Sequence, residues 1–144
     1  MQDFILRDYR ESDFPALSSL WESTGLGGAH RGDDNDVILK TLQSGGKLLI
    51  LEKSSDSEII GSSWLTNDSR RIYLHHFGIS PGYQGKGLAK PLLKASVEYA
   101  RSLNLQLKIE VHRQNTVALN LYKKFGFNYL GDYDVYIIRK FEGV

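Results

Sequence analysis

A glycine-containing turn is the first part of the chain with residue types suited to chemistry. Gln84-Gly85-Lys86-Gly87-Leu88-Ala89 follows a strand predicted over 70–79 and leads into a helix predicted over 87–103. A helix N-terminus presents unpaired N–H groups and about half a positive charge, which suits a diphosphate. Glycine also lets the backbone approach an anion where a Cβ would obstruct it. The pattern therefore predicts a phosphate-binding turn.

Two common nucleotide-binding motifs do not match this turn. The dinucleotide-binding fingerprint follows the first strand of a parallel sheet, whereas this turn follows three runs that read as an antiparallel meander. A Walker loop ends in Gly-Lys-Ser/Thr, and the segment 84–89 has no such ending. The predicted phosphate therefore belongs to another class of ligand.

Hydrophobic periodicity and turn residues predict one mixed α/β domain over residues 1–144. The predicted order is β-α-α-β-β-β-α-β-α-β-β. Its elements are strands over 4–7, 47–52, 58–66, 70–79 and 106–111, helices over 11–21, 36–43, 87–103 and 116–125, and two closing strands near 128–131 and 133–141.

Composition narrows the class of function. The net charge of +1 indicates no basic surface for nucleic acid. The chain has no cysteine, which removes disulfides and thiolate chemistry, and its histidines show no metal-ligand spacing, so no metal is expected. With no basic leader and no long apolar run, we expect a cytoplasmic protein that does not enter a membrane.

Three ordered segments resemble the Gcn5-related N-acetyltransferase (GNAT) superfamily. The turn 84–89 matches its Q/R-x-x-G-x-G/A motif, with Ala89 where many members have glycine. The segment 74–81, Leu-His-His-Phe-Gly-Ile-Ser-Pro, resembles the family's fourth strand. The segment 115–127 resembles N-x-x-A-x-x-L-Y-x-x-x-G-F. The predicted order of elements also fits, so the resemblance covers nearly the whole chain.

The resemblance implies that acetyl-CoA is the donor and CoA a product. It implies a fourth and a fifth strand that splay apart, with the pantetheine arm between them bonded to strand backbone, and the diphosphate on the glycine turn. The residues expected to bind the cofactor are Phe77, Gly78, Ile79, Gln84, Gly85, Lys86, Gly87, Leu88, Ala89, Asn115 and Tyr122.

The resemblance also suggests the catalytic groups. Tyr122 matches the tyrosine that lies near the thioester sulfur in family members, so we expect a general acid there; the alternative is a core aromatic residue. His75 matches a histidine that acts as base through ordered water in arylalkylamine acetyltransferases. Glu110 matches a proposed base of N-terminal alanine acetyltransferases. The choice between His75 and Glu110 stays open, while the strand alternation predicts that His76 faces away from His75.

The polar, glycine-rich segment 25–36 is expected to form the wall on the acceptor side. His30 and Arg31, together with Asp33 and Asp34, are candidate substrate contacts, or else solvated loop residues. Trp21 and Tyr73, with Trp64, are candidates for an aromatic acceptor pocket, although tryptophan more often belongs to a core.

The predicted function is transfer of acetyl from acetyl-CoA to a primary amine by direct attack, with a small-molecule amine or amino acid as acceptor. A protein N-terminal or lysine acetyltransferase is the first alternative. A non-catalytic acyl-CoA sensor is the second. A monomer and a homodimer are both compatible with the sequence.

Overall fold

The computed structural model describes residues 3–26 and 32–144. Within them the helices and strands follow the predicted order up to the last helix. They are β1 (Phe4–Asp8), α1 (Phe14–Thr24), α2 (Asn35–Gln43), β2 (Lys47–Lys53), β3 (Ile59–Asn67), β4 (Arg71–Ile79), α3 (Ala89–Leu103), β5 (Gln106–Ile109) and α4 (Thr116–Lys124), with short 3₁₀ turns at Glu11–Asp13 and Pro81–Tyr83.

The strands form one mixed sheet in the order β1-β2-β3-β4-β5. The first four strands pair antiparallel, which the sequence predicts for β2, β3 and β4, and short turns join β2 to β3 and β3 to β4. β5 runs parallel to β4, and a parallel pair requires a long crossover, which α3 supplies. The mixed α/β prediction is confirmed.

Two adjacent serines of β3 show how the sheet is covered. The indole Nε1 of Trp21 in α1 donates to Ser62 Oγ at 2.9 Å, while Ser63 Oγ is 2.6 Å from Ser96 Oγ in α3. Successive strand residues point to opposite faces, so α1 and α3 cover opposite sides of the sheet. The continuous apolar run 48–51 of β2 is buried, as expected for a strand covered on both faces.

A bulge interrupts β4 at His76. The β3–β4 register pairs Trp64 with His75 but Ser62 with Gly78, so two β4 residues oppose the single residue Ser63 and β4 has one extra residue. His76 absorbs the extra length with a left-handed backbone, φ +47°, which costs a non-glycine residue about 1–3 kcal/mol. The bulge lies inside the segment that resembles the GNAT fourth strand.

The chain divides into two compact units, one ending at Glu110 and the other comprising Val111–Val144. The second unit contains α4, followed by residues 127–144 without regular structure. The two predicted closing strands near 128–131 and 133–141 are therefore wrong for this structure. Their apolar side chains are exposed, Tyr136 to 89%, and a strand is stable only where a neighbour pairs with its backbone.

Neither a membrane-spanning helix nor a metal-binding cluster occurs in the residues that the structure describes. No helix there is long and apolar enough to cross a bilayer. No group of three or more His, Asp or Glu side chains there is placed to hold a metal ion.

Candidate active site

The glycine turn is built by two left-handed residues. Gly85 and Gly87 both have φ +77°, which L side chains rarely adopt, and no atom lies within 4 Å of a Cβ built at either position. The backbone conformation alone therefore requires glycine here. The side-chain amide of Gln84 donates to Ile79 O at 2.9 Å and ties the turn to the end of β4.

The first turn of α3 has no capping side chain. Leu88 is the N-cap residue, no side-chain bond caps the helix, and no acidic residue lies in the first turn. Pro91 occupies the third helical position, where its missing N–H costs no helical bond. Lys86 and Lys90 are exposed beside this N-terminus. The turn thus offers backbone N–H groups and positive charge to an anion, as predicted.

β4 extends beyond its ladder with β5. The parallel pairing runs from Arg71–Gln106 to Leu74–Ile109 and ends there, while β4 continues through Ile79. The ladder ends where β5 ends, so β4 continues alone, and the splay of the fourth and fifth strands stays a prediction. The β4 residues beyond the ladder are His75 to Ile79, which include the three predicted cofactor contacts Phe77, Gly78 and Ile79.

Tyr73 and His75 share the exposed face of β4 just where the ladder ends. Their rings stack with centroids 6.2 Å apart and planes 22° apart. Lys108 Nζ of β5 lies 5.7 Å from the Tyr73 ring centroid. The Nε2 atom of His75 is 2.9 Å from Thr66 Oγ1 of β3, a bond that can fix the imidazole tautomer.

The pKa of His75 is lowered from its ordinary value. Desolvation by the surrounding protein is the largest cause, and the neighbouring His76 acts in the same direction. The carboxylates of Glu110 and Asp33 act in the opposite direction and raise the pKa. At neutral pH the imidazole is therefore unprotonated and able to accept a proton. The same interactions make Glu110 an electrostatic neighbour of His75.

His76 lies on the same side of the sheet as His75, and the prediction that it faces away is wrong. Its ring meets the Trp21 ring edge-on at 4.6 Å and the Trp64 ring at 5.3 Å, and Trp64 is also 6.3 Å from the His75 ring. The bulge is the reason, because its one extra residue breaks the alternation of side chains along β4. The His76 Nε2 atom is 2.9 Å from Asp33 Oδ2.

Trp21 and Trp64 form part of the core rather than an open pocket. Their rings stack at 5.4 Å, and both side chains are buried. Each indole N–H has a hydroxyl partner, Ser62 for Trp21 and Thr41 for Trp64. Of the predicted aromatic acceptor residues, only Tyr73 is partly exposed. His30 and Arg31 lie outside the described residues.

Gly78 lies against a neighbour that the sequence did not indicate. A Cβ at this position would lie 2.7 Å from Leu26 Cδ1. We predicted Gly78 as a residue that eases the approach of the cofactor, and the structure shows that its missing side chain also makes room for Leu26. Asp34 has a structural role as well, since its Oδ1 accepts from Val37 N at 3.0 Å and caps α2.

The other two predicted site residues belong to the second unit. Tyr122 of α4 is 6% exposed, and burial raises the pKa of its phenol to about 12. Its ring lies 5.5 Å from the Phe127 ring. Asn115 caps α4, with Oδ1 accepting from Ala118 N at 3.2 Å. The pantetheine contact predicted for Asn115 stays a prediction beside this structural role.

The glycine turn, the parallel β4–β5 pair and the tyrosine helix agree with a comparison to protein families. The model of the acetyltransferase (GNAT) family matches residues 7–127. The chain belongs to the GNAT family. The match begins in β1 and ends three residues after α4. It therefore includes the turn at 84–89, His75, Glu110 and Tyr122.

Individual relatives of this GNAT chain include proteins of known sequence and structure. The spermine/spermidine N(1)-acetyltransferase of Bacillus subtilis is 36% identical over 70 residues, 47% of this chain and 46% of that protein. The aligned region thus spans about half the length of that relative. An acetyltransferase from Streptococcus agalactiae shares the fold with TM-score 0.79 and 18% identity, over 96% of this chain and 93% of that one. YncA from Salmonella typhimurium, solved with its cofactor acetyl-CoA, has TM-score 0.72 and 20% identity, over 87% and 79%.

Proposed function

We propose that this GNAT chain transfers the acetyl group of acetyl-CoA to the primary amine of a small molecule, with polyamines as the leading acceptors. The observation that carries the proposal is that β4 continues to Ile79 beyond the end of its ladder at Leu74–Ile109, and that the glycine turn follows after one short 3₁₀ turn. A sheet that opens along one strand and leads into an anion-binding helix N-terminus suits a ligand with an amide-bearing arm and a diphosphate.

In this proposal the donor lies along β4. The pantetheine arm adds beside the backbone of Phe77, Gly78 and Ile79 as an extra strand would, because amide groups of the arm can pair with strand backbone. The diphosphate lies on the amides of residues 84–89, with Lys86 nearby. This placement agrees with the absence of acidic residues from the first turn of α3, since a carboxylate there would repel the diphosphate.

The transfer requires one base and one acid. The neutral amine attacks the thioester carbonyl carbon and a C–N bond forms; the C–S bond then breaks and releases the CoA thiolate. We assign acceptance of the amine proton to His75, directly or through water, because its lowered pKa leaves it unprotonated at neutral pH. We assign protonation of the thiolate to Tyr122, whose raised pKa keeps the phenol protonated. In this scheme Glu110 is not the base; its carboxylate acts to raise the pKa of His75.

The acceptor class is supported by the Bacillus subtilis relative, whose name specifies spermine and spermidine. The exposed face that carries Tyr73 and His75 would receive the amine. The Tyr73 ring offers an aromatic face to an alkylammonium chain, and Glu110 offers a carboxylate. A cytoplasmic location, a single domain and a monomeric or dimeric state remain predictions of the sequence.

A thiol-release assay tests the proposal. Acetyl-CoA and the purified chain would be mixed with spermidine, spermine, single amino acids and a peptide with a free N-terminus. We expect CoA release above the hydrolysis background with at least one polyamine. Release with the peptide alone would identify a protein acetyltransferase instead. Binding of acetyl-CoA without release for any acceptor would identify a sensor.

A further inference from the structure

His76 has an unusual combination of strain and restraint. It is one of four non-glycine residues with positive φ in the part of the chain that the structure describes, and it lies at the centre of the β4 bulge. Its backbone oxygen accepts from Ser62 Oγ at 2.8 Å. Its ring contacts the Trp21 and Trp64 rings, and its Nε2 atom faces Asp33. A strained residue persists where its surroundings determine it in several ways, and such residues concentrate at functional sites.

The bulge separates two parts of the proposed site. His75, the proposed base, lies immediately before His76, and the proposed pantetheine-binding residues Phe77 to Ile79 lie immediately after it. The torsion angles of His76 therefore set where the base stands relative to the bound thioester. An enzyme that holds two reacting groups loses rate steeply when one of them shifts by about 1 Å.

Asp33 restrains the His76 ring from outside the hydrophobic core, through the contact with His76 Nε2. The His76 and Asp33 side chains are 18% and 23% exposed, so their bond is partly shielded from water. Such a charge-assisted bond is shorter and stronger than one between neutral groups. Asp36, three residues further on, is exposed and lies in the first turn of α2. Asp36 is also an aspartate but has no hydrogen bond or ion pair with His76, so a substitution at Asp36 is a matched control for the same substitution at Asp33.

We propose that His76 and Asp33 form a positioning pair that holds the β4 bulge in the shape that acetyl transfer requires. The proposal rests on the proposed function for its kinetic effect. Asp33 keeps the His76 ring against the two tryptophans, and the ring keeps the bulge backbone in its left-handed conformation. The bulge in turn places His75 beside the part of β4 that continues beyond its ladder with β5. Neither member of the pair touches the reacting atoms.

Tryptophan fluorescence tests the geometry without any substrate. The chain has two tryptophans, and both contact His76, so the emission spectrum reports directly on this ring. Asp33→Ala should shift the emission or change its intensity, and so should His76→Asn, which retains a side chain that tolerates left-handed backbone. Asp36→Ala should leave the spectrum unchanged. Identical spectra for all four proteins would overturn the proposal.

Kinetics test the consequence. We expect Asp33→Ala and His76→Asn to lower kcat about tenfold, in keeping with a displaced base, while KM for the amine changes less than about twofold. Asp33→Asn should recover most of kcat, because its carboxamide oxygen can still accept from His76 Nε2–H. Full kcat in Asp33→Ala, or no recovery in Asp33→Asn, would overturn the positioning role. If the wild-type chain acetylates no amine, the proposed function fails, while the fluorescence result still decides whether the pair holds the bulge.

Discussion

His75 and Tyr122 have opposite protonation states at neutral pH, and the reason lies in their surroundings. Desolvation lowers the pKa of His75 and leaves its imidazole neutral, whereas burial raises the pKa of Tyr122 to about 12 and keeps its phenol protonated. Two titratable groups whose pKa values are shifted in opposite directions suit a base and an acid. Each assignment gives a separate kinetic prediction.

The base assignment predicts a change in the pH profile. His75 loses its base function as pH falls through its lowered pKa, so the acidic limb of kcat/KM should lie below about pH 6.5. His75→Ala should remove this limb and lower kcat/KM at pH 7 by about 100-fold. Glu110→Gln removes a charge that raises the His75 pKa, so the limb should move to lower pH and persist. Loss of the limb in Glu110→Gln, with retention in His75→Ala, would identify Glu110 as the base.

The acid assignment predicts that Tyr122→Phe lowers kcat about 100-fold, because the leaving thiolate loses its proton donor. The Kd for acetyl-CoA, measured by calorimetry, should change little. Tyr99→Phe is the matched control, since its hydroxyl donates to Gly45 O at 2.6 Å and supports the fold. It should lower the unfolding temperature and leave kcat unchanged. Unaltered kcat in Tyr122→Phe would show that the acid is another group.

For individual residues, the sequence predicted which residues belong to the site better than it predicted where their side chains point. His75, Gly78 and Tyr122 are recognisable from the sequence, because each belongs to a short motif of neighbouring residues. The direction of His76 was not predictable, because a bulge adds residues without a local signature and reverses the alternation beyond it. Leu26 and Asp33 reach β4 from distant positions in the chain, so no spacing rule could connect them.

Among the elements, the glycine turn gives the sharpest prediction for the donor. Alanine at Gly85 or Gly87 would have to adopt φ +77°, at a cost of about 1–2 kcal/mol, although space for the Cβ is available. If acetyl-CoA needs this backbone conformation, its Kd should rise about tenfold. Gly82→Ala is the matched control, since Gly82 has no left-handed backbone and equal space. An unchanged Kd in Gly87→Ala would contradict a diphosphate at this turn.

The elements that the sequence predicted well are those with strong local periodicity. The β2–β4 meander and α3 end within two residues of their predicted limits, and α3 begins at Ala89 because Gly87 cannot be helical. The two closing strands were wrong for a different reason. Residues 133–141 have β-forming side chains, but such propensity becomes a strand only when another strand pairs with it.

At the scale of the whole molecule, a largely buried ion cluster joins the edge strand β1 to the 3₁₀ turn before α1 and to the neighbouring strand β2. Arg7 of β1 donates to Asp13 at 2.8 and 2.9 Å and to Glu52 of β2 at 3.0 Å. Burial acts to raise the pKa of Asp13, but the bonds from Arg7 and from Arg10 N outweigh it and lower the pKa. Removing one partner leaves buried charge without compensation.

We therefore expect Arg7→Met to lower the free energy of unfolding by about 3 kcal/mol at pH 7. Because the Asp13 pKa is lowered on folding, its contribution is complete above its unfolded pKa, near 4, and is lost as pH falls through the folded pKa. The difference between variant and wild type should therefore shrink below about pH 4. Lys47→Met breaks the more exposed pair with Asp8 and should cost under about 1 kcal/mol. Urea denaturation at pH 7 and at a pH below about 4 measures these differences in the free energy of unfolding. Equal losses in Arg7→Met and Lys47→Met at pH 7 would contradict a stabilising role for the buried cluster.

Acetyl transfer involves the whole molecule, because the reaction needs a donor site and an acceptor together. The most direct measurement is mass spectrometry of spermidine after incubation with the chain and acetyl-CoA carrying a ¹³C-labelled acetyl group. We predict labelled monoacetylspermidine in an amount equal to the CoA released, formed about 100-fold more slowly by His75→Ala. Release of CoA without any labelled amine, or labelled spermidine formed equally without the protein, would contradict the claim.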